Sequence, residues 1–146
     1  MPLIIMSTMT TAPPDEVWSL VGDFGALAEW HPAVVACGLS IGDDGTTIRS
    51  VCTVDGGQHR SQLRRHSDQE RACDYTMLPT DQYTMTDFHG WLTVQPITRS
   101  RCSMVIWGCS FNVVRGPEAA VEVMMRTYYD IGLGAIRQRF NAVETA

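Results

Sequence analysis

Ala12-Pro13-Pro14-Asp15-Glu16-Val17-Trp18 follows an apolar, threonine-rich run at residues 3–11, which suits a strand. Pro14 fits a first helical turn, where its missing N–H is no loss, and Asp15 and Glu16 fall where the helix dipole favours negative charge. Val17, Trp18, Leu20 and Val21 give this helix an apolar face. Gly22-Asp23 ends it, and Asp23 is placed to cap a second short helix running through Glu29. Pro32, in Trp30-His31-Pro32, then turns the chain into an extended run over 34–39.

Further along, Gly42-Asp43-Asp44-Gly45 and Asp55-Gly56-Gly57 read as turns. They bound a strand over 46–54, and residues 58–66 supply its hairpin partner. A turn at 68–71 leads to a short strand over 73–78, which Pro79-Thr80-Asp81 breaks. Two longer strands, 83–95 and 101–113, are joined near 96–100, and Arg115-Gly116-Pro117 stops the meander. Beyond it Val121, Met124, Met125, Tyr128, Tyr129, Leu133, Ile136 and Phe140 recur at roughly helical spacing, so 117–140 reads as one long amphipathic helix. The order is strand, two short helices, meander, long helix. It predicts an α+β fold, one domain over 1–146, enclosing a cavity.

Composition narrows the function. The net charge of −5 argues against a nucleic-acid partner, which needs clustered basic side chains. Lysine is absent, so no lysine of this chain forms a Schiff base. Five scattered cysteines without a Cys-x-x-Cys pair read as reduced thiols in a cytoplasmic protein. The short apolar run near the start reads as neither signal peptide nor membrane span. No Gly-rich phosphate loop or metal-binding run appears, so neither cofactor nor metal is expected. Gly108-Cys109-Ser110 lies inside a strand and is no nucleophile elbow.

With Ala12–Trp18, Asp23-Phe24, Trp30-His31-Pro32, residues 45–49, Tyr75, Val105-Ile106-Trp107, Phe111 and residues 128–136 in this order, the chain resembles the helix-grip (START-like, SRPBCC) superfamily. Within it the chain is similar to the polyketide cyclase/dehydratase-like proteins. The resemblance implies a curved antiparallel sheet wrapped around a long C-terminal helix, two short helices after the first strand, and a ligand cavity between sheet and long helix. Many members carry Glu-Arg-Leu where this chain has Ser61-Gln62-Leu63, so a hydroxyl replaces an inward carboxylate.

The resemblance also implies that Trp107 faces inward, and alternation then orients each strand. Val105, Cys109 and Phe111 follow Trp107. Arg49, Val51 and Thr53 share an inner face, as do His59, Ser61, Leu63 and Arg65 on the partner strand. Tyr75 and Met77 line the next strand, and Phe88, Gly90 and Leu92 the one after, with His89 and Trp91 outside. Met124, Tyr128 and Gly132 look in from the long helix, and Val35 from beside the second helix. Trp30, Trp107, Phe88, Met124 and Tyr128 would shape the cavity.

Polar groups in an apolar pocket are costly unless paired or used. Arg49 and Tyr75 are therefore candidates to stabilise an enolate or carbonyl oxygen. His59, with His31 as second choice, is the candidate to move a proton. Structural alternatives stand beside each. Arg49 could bond backbone or an acidic neighbour, His59 could be solvated at the mouth, and Trp30 and His31 could serve packing and capping. Tyr75 and Tyr128 could merely line the core, while His66 and His89 read as plain surface residues.

These readings imply a cofactor-free enzyme acting on a hydrophobic, oxygenated, aromatic or polyketide-like small molecule by cyclisation, dehydration or related proton transfer. A non-catalytic carrier of such a molecule is the alternative, and an interaction module with a collapsed cavity a third. Beyond that small-molecule partner, a homodimer is compatible with the chain.

Overall fold

The computed structural model describes residues 2–79, 85–98 and 101–141. Thr80 and Asp81 of the expected break, the start of the strand expected at 83, and Arg99 and Ser100 of the expected connection lie outside the described residues. Strand β1 (Leu3–Thr10) runs into helix α1 (Pro14–Val21) and the one-turn helix α2 (Leu27–Trp30). Strands β2 (Val34–Ile41), β3 (Thr47–Thr53), β4 (Gln58–Ser67), β5 (Ala72–Met77), β6 (Met85–Pro96) and β7 (Ser103–Val113) follow, and helix α3 (Glu118–Asn141) closes the chain. The strands form one antiparallel sheet in the order β1-β7-β6-β5-β4-β3-β2.

Local chemistry explains the elements. Pro14 opens α1 with Asp15 and Glu16 in its first turn, and Val17, Trp18 and Val21 are buried against the sheet. The Trp18 indole donates to Asp68 (2.8 Å), and its ring plane would collide with a Cβ on Gly22. Asp23 accepts from the Gly25 N–H (3.1 Å) and so closes a turn. It does not cap α2, whose N-cap is Ala26, without a side-chain bond. At the end of β1 the Thr10 and Ser103 hydroxyls share a hydrogen bond (2.8 Å), and Ser103 donates to the Ala12 carbonyl (2.9 Å).

Three bulges re-aim side chains. Val34 lies opposite Thr53 and Ala36 opposite Cys52, which leaves Val35 as an extra residue between them. Val35, expected to face inward, is 60% exposed, and the buried residue is its neighbour Val34. On β4 the register slips between Leu63 and Arg65, which turns Arg65 to the outer face, where it pairs with Glu70. On β6 the register slips between Thr86 and His89, with Asp87 in the left-handed region (φ 53°). Each extra residue flips the faces that strict alternation would assign. His66 is likewise more than a surface residue: it donates to the Gly22 carbonyl (2.6 Å) and its ring lies 5.3 Å from Trp18.

Helix α3 buries Val121, Met125, Tyr129, Gly132, Leu133 and Ile136. At Gly132 the helix comes so near its neighbours that a Cβ would lie 2.6 Å from His31 Cδ2 and 2.8 Å from Trp107 Cζ3. Alanine is favoured over glycine in a helix by up to about 1 kcal/mol, but overpacking against two fixed rings costs about 1–3 kcal/mol. Gly132→Ala should therefore lower the midpoint of urea unfolding. A raised midpoint would show that α3 and the sheet are not in this contact.

Candidate functional site

Between α3 and the inner face of the sheet lies a cavity of about 230 Å³. Its walls are mostly apolar: Met77, Met85, Phe88, Trp107, Met124, Met125 and the rings of Tyr128 and Tyr129. The β3–β4 hairpin supplies the polar end. Tight turn geometry holds the hairpin in register, with Gly56 at φ 86° and the Thr53 N–H donating to Gly57 (2.9 Å). Arg49 then faces Ser61, and Val51 faces His59, so Arg49, Ser61 and His59 reach the cavity together. Thr53 and Asp55 stand on the wall at the same end.

Arg49 is 7% exposed. Its guanidinium carbon lies over the Phe24 ring (4.0 Å to the centroid) and 5.1 Å from the Tyr75 centroid, and Nη1 donates to the Phe24 carbonyl at 3.3 Å. No carboxylate of the described residues lies within ion-pair distance, and Nε is buried without a hydrogen-bond partner. The backbone bond half-answers the structural alternative, but the charge is left uncompensated. Two ring faces return up to about 2 kcal/mol each, against several kcal/mol for desolvating the ion.

That charge is felt by its neighbours. Burial, then the Arg49 charge, pushes His59 down to about 4, so its imidazole is neutral at pH 7. Burial raises Tyr75, and its oxygen accepts from the Trp107 indole N–H (2.9 Å). Tyr129 faces that hydroxyl, donates to the Gly108 carbonyl (3.3 Å), and is held well above the usual phenol range by burial. Tyr75 thus belongs to a buried hydroxyl chain while its ring lines the cavity.

The other expected residues divide between wall and support. Ser61, Met77, Phe88, Trp107 and Tyr128 line the cavity, and Met124 does so from its rim, 51% exposed. Val51, Gly90, Cys109, Gly132, Trp30 and His31 are buried but do not form its wall. Gly90 leaves room for the Tyr75 ring, which a Cβ would meet at 2.6 Å. Trp30 packs edge-on against Trp107 (5.5 Å). His31 Nδ1 accepts from the Ala33 N–H (3.1 Å), which fixes the hydrogen on Nε2, and Nε2 donates to the Tyr128 carbonyl (2.8 Å). Both nitrogens are committed, so His31 clips α2 to α3 and moves no proton. Val35 is outside altogether. Tyr129, Met125 and Asp55 were not anticipated. The spacing Val121-Met125-Tyr129-Leu133-Ile136 carries the signal for the first two.

Residues 4–141 match the family model for polyketide cyclase / dehydrase and lipid transport proteins. The chain belongs to this family. No curated protein matches it. Among solved structures it is similar to the protein XoxI from Bacillus cereus, with 25% identity, 96% of each chain covered and a TM-score of 0.86. It is also similar to a Thermobifida fusca protein, with 30% identity, 96% of this chain and 93% of that one covered, and a TM-score of 0.77. Zhui aromatase/cyclase from Streptomyces sp. R1128 shares the fold, at 14% identity, with 94% and 92% covered and a TM-score of 0.75.

The sheet and closing helix of this cyclase/dehydrase-family chain are the helix-grip fold, and the family implies binding of hydrophobic small molecules. Among the described residues no helix is long and apolar enough to cross a membrane, and no three metal-ligating side chains cluster.

Two stability effects follow from the polar end. A histidine in the unfolded chain takes up a proton near pH 6.5. Folded His59 holds off until about 4, and folded His31 is also lowered, by burial. Their contribution is full above pH 6.5 and is lost as pH falls through the folded values. Between pH 7 and 5, His59→Gln should lose less stability than the wild type, by roughly 1–2 kcal/mol, as read from urea melts at each pH. Parallel curves would place His59 in water. Arg49→Met removes an uncompensated buried cation and should raise Tm by scanning calorimetry; a fall would mean that the charge is paired.

Proposed function

We propose that this protein is a cofactor-free enzyme that binds a hydrophobic, oxygenated small molecule between sheet and α3 and promotes cyclisation, dehydration or a related proton transfer. One observation carries the reading. Arg49, Ser61 and His59 converge at one end of a cavity that is otherwise apolar. The apolar body of the substrate would lie among Met77, Phe88, Trp107 and Met124, with its carbonyl oxygen toward Arg49. His59, neutral at working pH, accepts a proton from the carbon next to that carbonyl. Arg49 holds the oxygen as negative charge develops on it. The resulting enolate closes on a second carbonyl of the same molecule, whose oxygen takes the proton back from the His59 imidazolium, or it expels a β-hydroxyl that leaves as water with that proton. The volume, about 230 Å³, falls below the roughly 300–1,000 Å³ of sites for drug-sized ligands, so the reading favours a compact substrate.

A second reading, a carrier without catalysis, is favoured by the state of the acid–base groups. His31 has both nitrogens committed, Tyr75 is tied to Trp107, and His59 is a weakened base. The test is turnover of small aromatic β-diketones with paired variants. His59→Ala should lower turnover about a hundredfold or more, and Arg49→Met at least as much, with unchanged circular dichroism. Full activity in both variants would sink the catalytic reading. Binding without turnover in the wild type and both variants would establish the carrier.

A further inference from the structure

We infer that the cavity selects its ligand as a preformed organic anion, whose charged oxygen pairs with the guanidinium of Arg49 beside the Ser61 hydroxyl. The inference rests on the ligand cavity proposed above and adds the charge of what enters it.

The observations are geometric. Arg49 is more than nine-tenths buried, and it lines the cavity. Of its five N–H donors, one reaches a protein acceptor, the Phe24 carbonyl, and Nε has none. The guanidinium sits over the Phe24 ring, 4.0 Å from its centroid, and a guanidinium can meet two oxygens of one group. Among the described residues the single carboxylate on the cavity wall is Asp55. It is fully exposed to solvent, and one of its oxygens accepts from the Thr53 hydroxyl and the Gly57 N–H of its own turn. It therefore does not supply the missing counter-ion. Cys37, His59, Cys73 and Tyr75 all lie within reach of the Arg49 charge.

A neutral ketone would accept hydrogen bonds there but leave the charge in place. An anion satisfies both demands. Carboxylate and phenolate share this chemistry and differ in oxygen count: a carboxylate meets the guanidinium fork with two oxygens, a phenolate with one.

Calorimetric titration of the intact protein separates the cases. The probes are benzoate against benzamide, and p-nitrophenolate against p-nitroanisole, at pH 8. Each anion should bind about 10–100-fold tighter than its neutral isostere, the scale of a charge-assisted hydrogen bond. A wider margin for benzoate marks carboxylate as the preferred source, and a wider margin for p-nitrophenolate marks phenolate. In Arg49→Met the preference should collapse to within about threefold while the neutral probes bind as before; Arg49→Lys should keep part of it. Neutral probes binding as well as anions in the wild type would overturn the anion assignment and leave the cavity reading intact. An anion preference that survives in Arg49→Met would also overturn it. No binding of any of the four would overturn both.

Discussion

The indole of Trp107 stacks on the phenol of Tyr129 with centroids 4.1 Å apart and planes 14° from parallel, and here helix α3 meets the sheet. Everything around the site is arranged by that contact. Gly132, one turn along the helix, has no side chain, so His31 and Trp107 fill its place. The indole N–H reaches Tyr75, and the Tyr75 ring lies over Gly90. Two glycines on facing elements thus frame one aromatic layer. Interiors pack to crystal-like density, so this layer leaves no space of its own. The cavity opens on the side of this layer that faces the β3–β4 hairpin, with Trp107, Tyr129 and Tyr75 in its wall and Met77, Met85, Met124 and Met125 completing it. A small binding space is the consequence of a tight helix–sheet contact.

The same layer explains why His31 is silent. Its ring stacks on Tyr128 at 4.2 Å and meets Trp107 edge-on at 5.8 Å. Burial disfavours its charged form, and two backbone groups occupy its nitrogens. A histidine so held is a joint between α2 and α3. Nothing in Trp30-His31-Pro32 as a sequence distinguishes that role from catalysis, because the Tyr128 carbonyl that takes the second nitrogen lies 97 residues away.

Much of the architecture was legible because turns and alternation are local. Asp55-Gly56-Gly57 places the hairpin; the family resemblance turns Trp107 inward, and period two from there puts Arg49, Ser61 and His59 on one face, with Tyr75, Met77 and Phe88. Local rules failed where register changes. Val35 and Arg65 follow bulges, which depend on how two strands meet and leave no mark on hydropathy. The inward face of α3 is wider than the expected Met124, Tyr128 and Gly132, since Met125 and Tyr129 share the cavity wall with Met124 and Tyr128. Val123 and Ile131 are exposed, so apolar residues run further around the helix than the face it buries, and the pattern fits Met124–Tyr128 as well as Met125–Tyr129. Both tyrosines pack against Trp107, Tyr129 in a parallel stack and Tyr128 at a tilt.

Arg49 links the stability of this chain to its proposed chemistry. A methionine of similar length would fill the same space over the Phe24 ring without the desolvation cost of a charge. Proteins keep such costs where function needs them, since stabilising replacements are otherwise easy to find. In the proposed reaction the cost has two uses, and they are coupled. The cation that would hold the developing oxygen also lowers the basicity of His59. As negative charge builds on the substrate oxygen, it cancels part of the Arg49 field, and the imidazole becomes a better base while the proton is moving. Stabilisation of the oxygen and strength of the base then rise together along the reaction, driven by a single charge. A carrier would need only the first effect, and for it a histidine beside the arginine would add desolvation without benefit. The pairing of Arg49 with His59, more than either residue alone, is therefore the physical argument for catalysis.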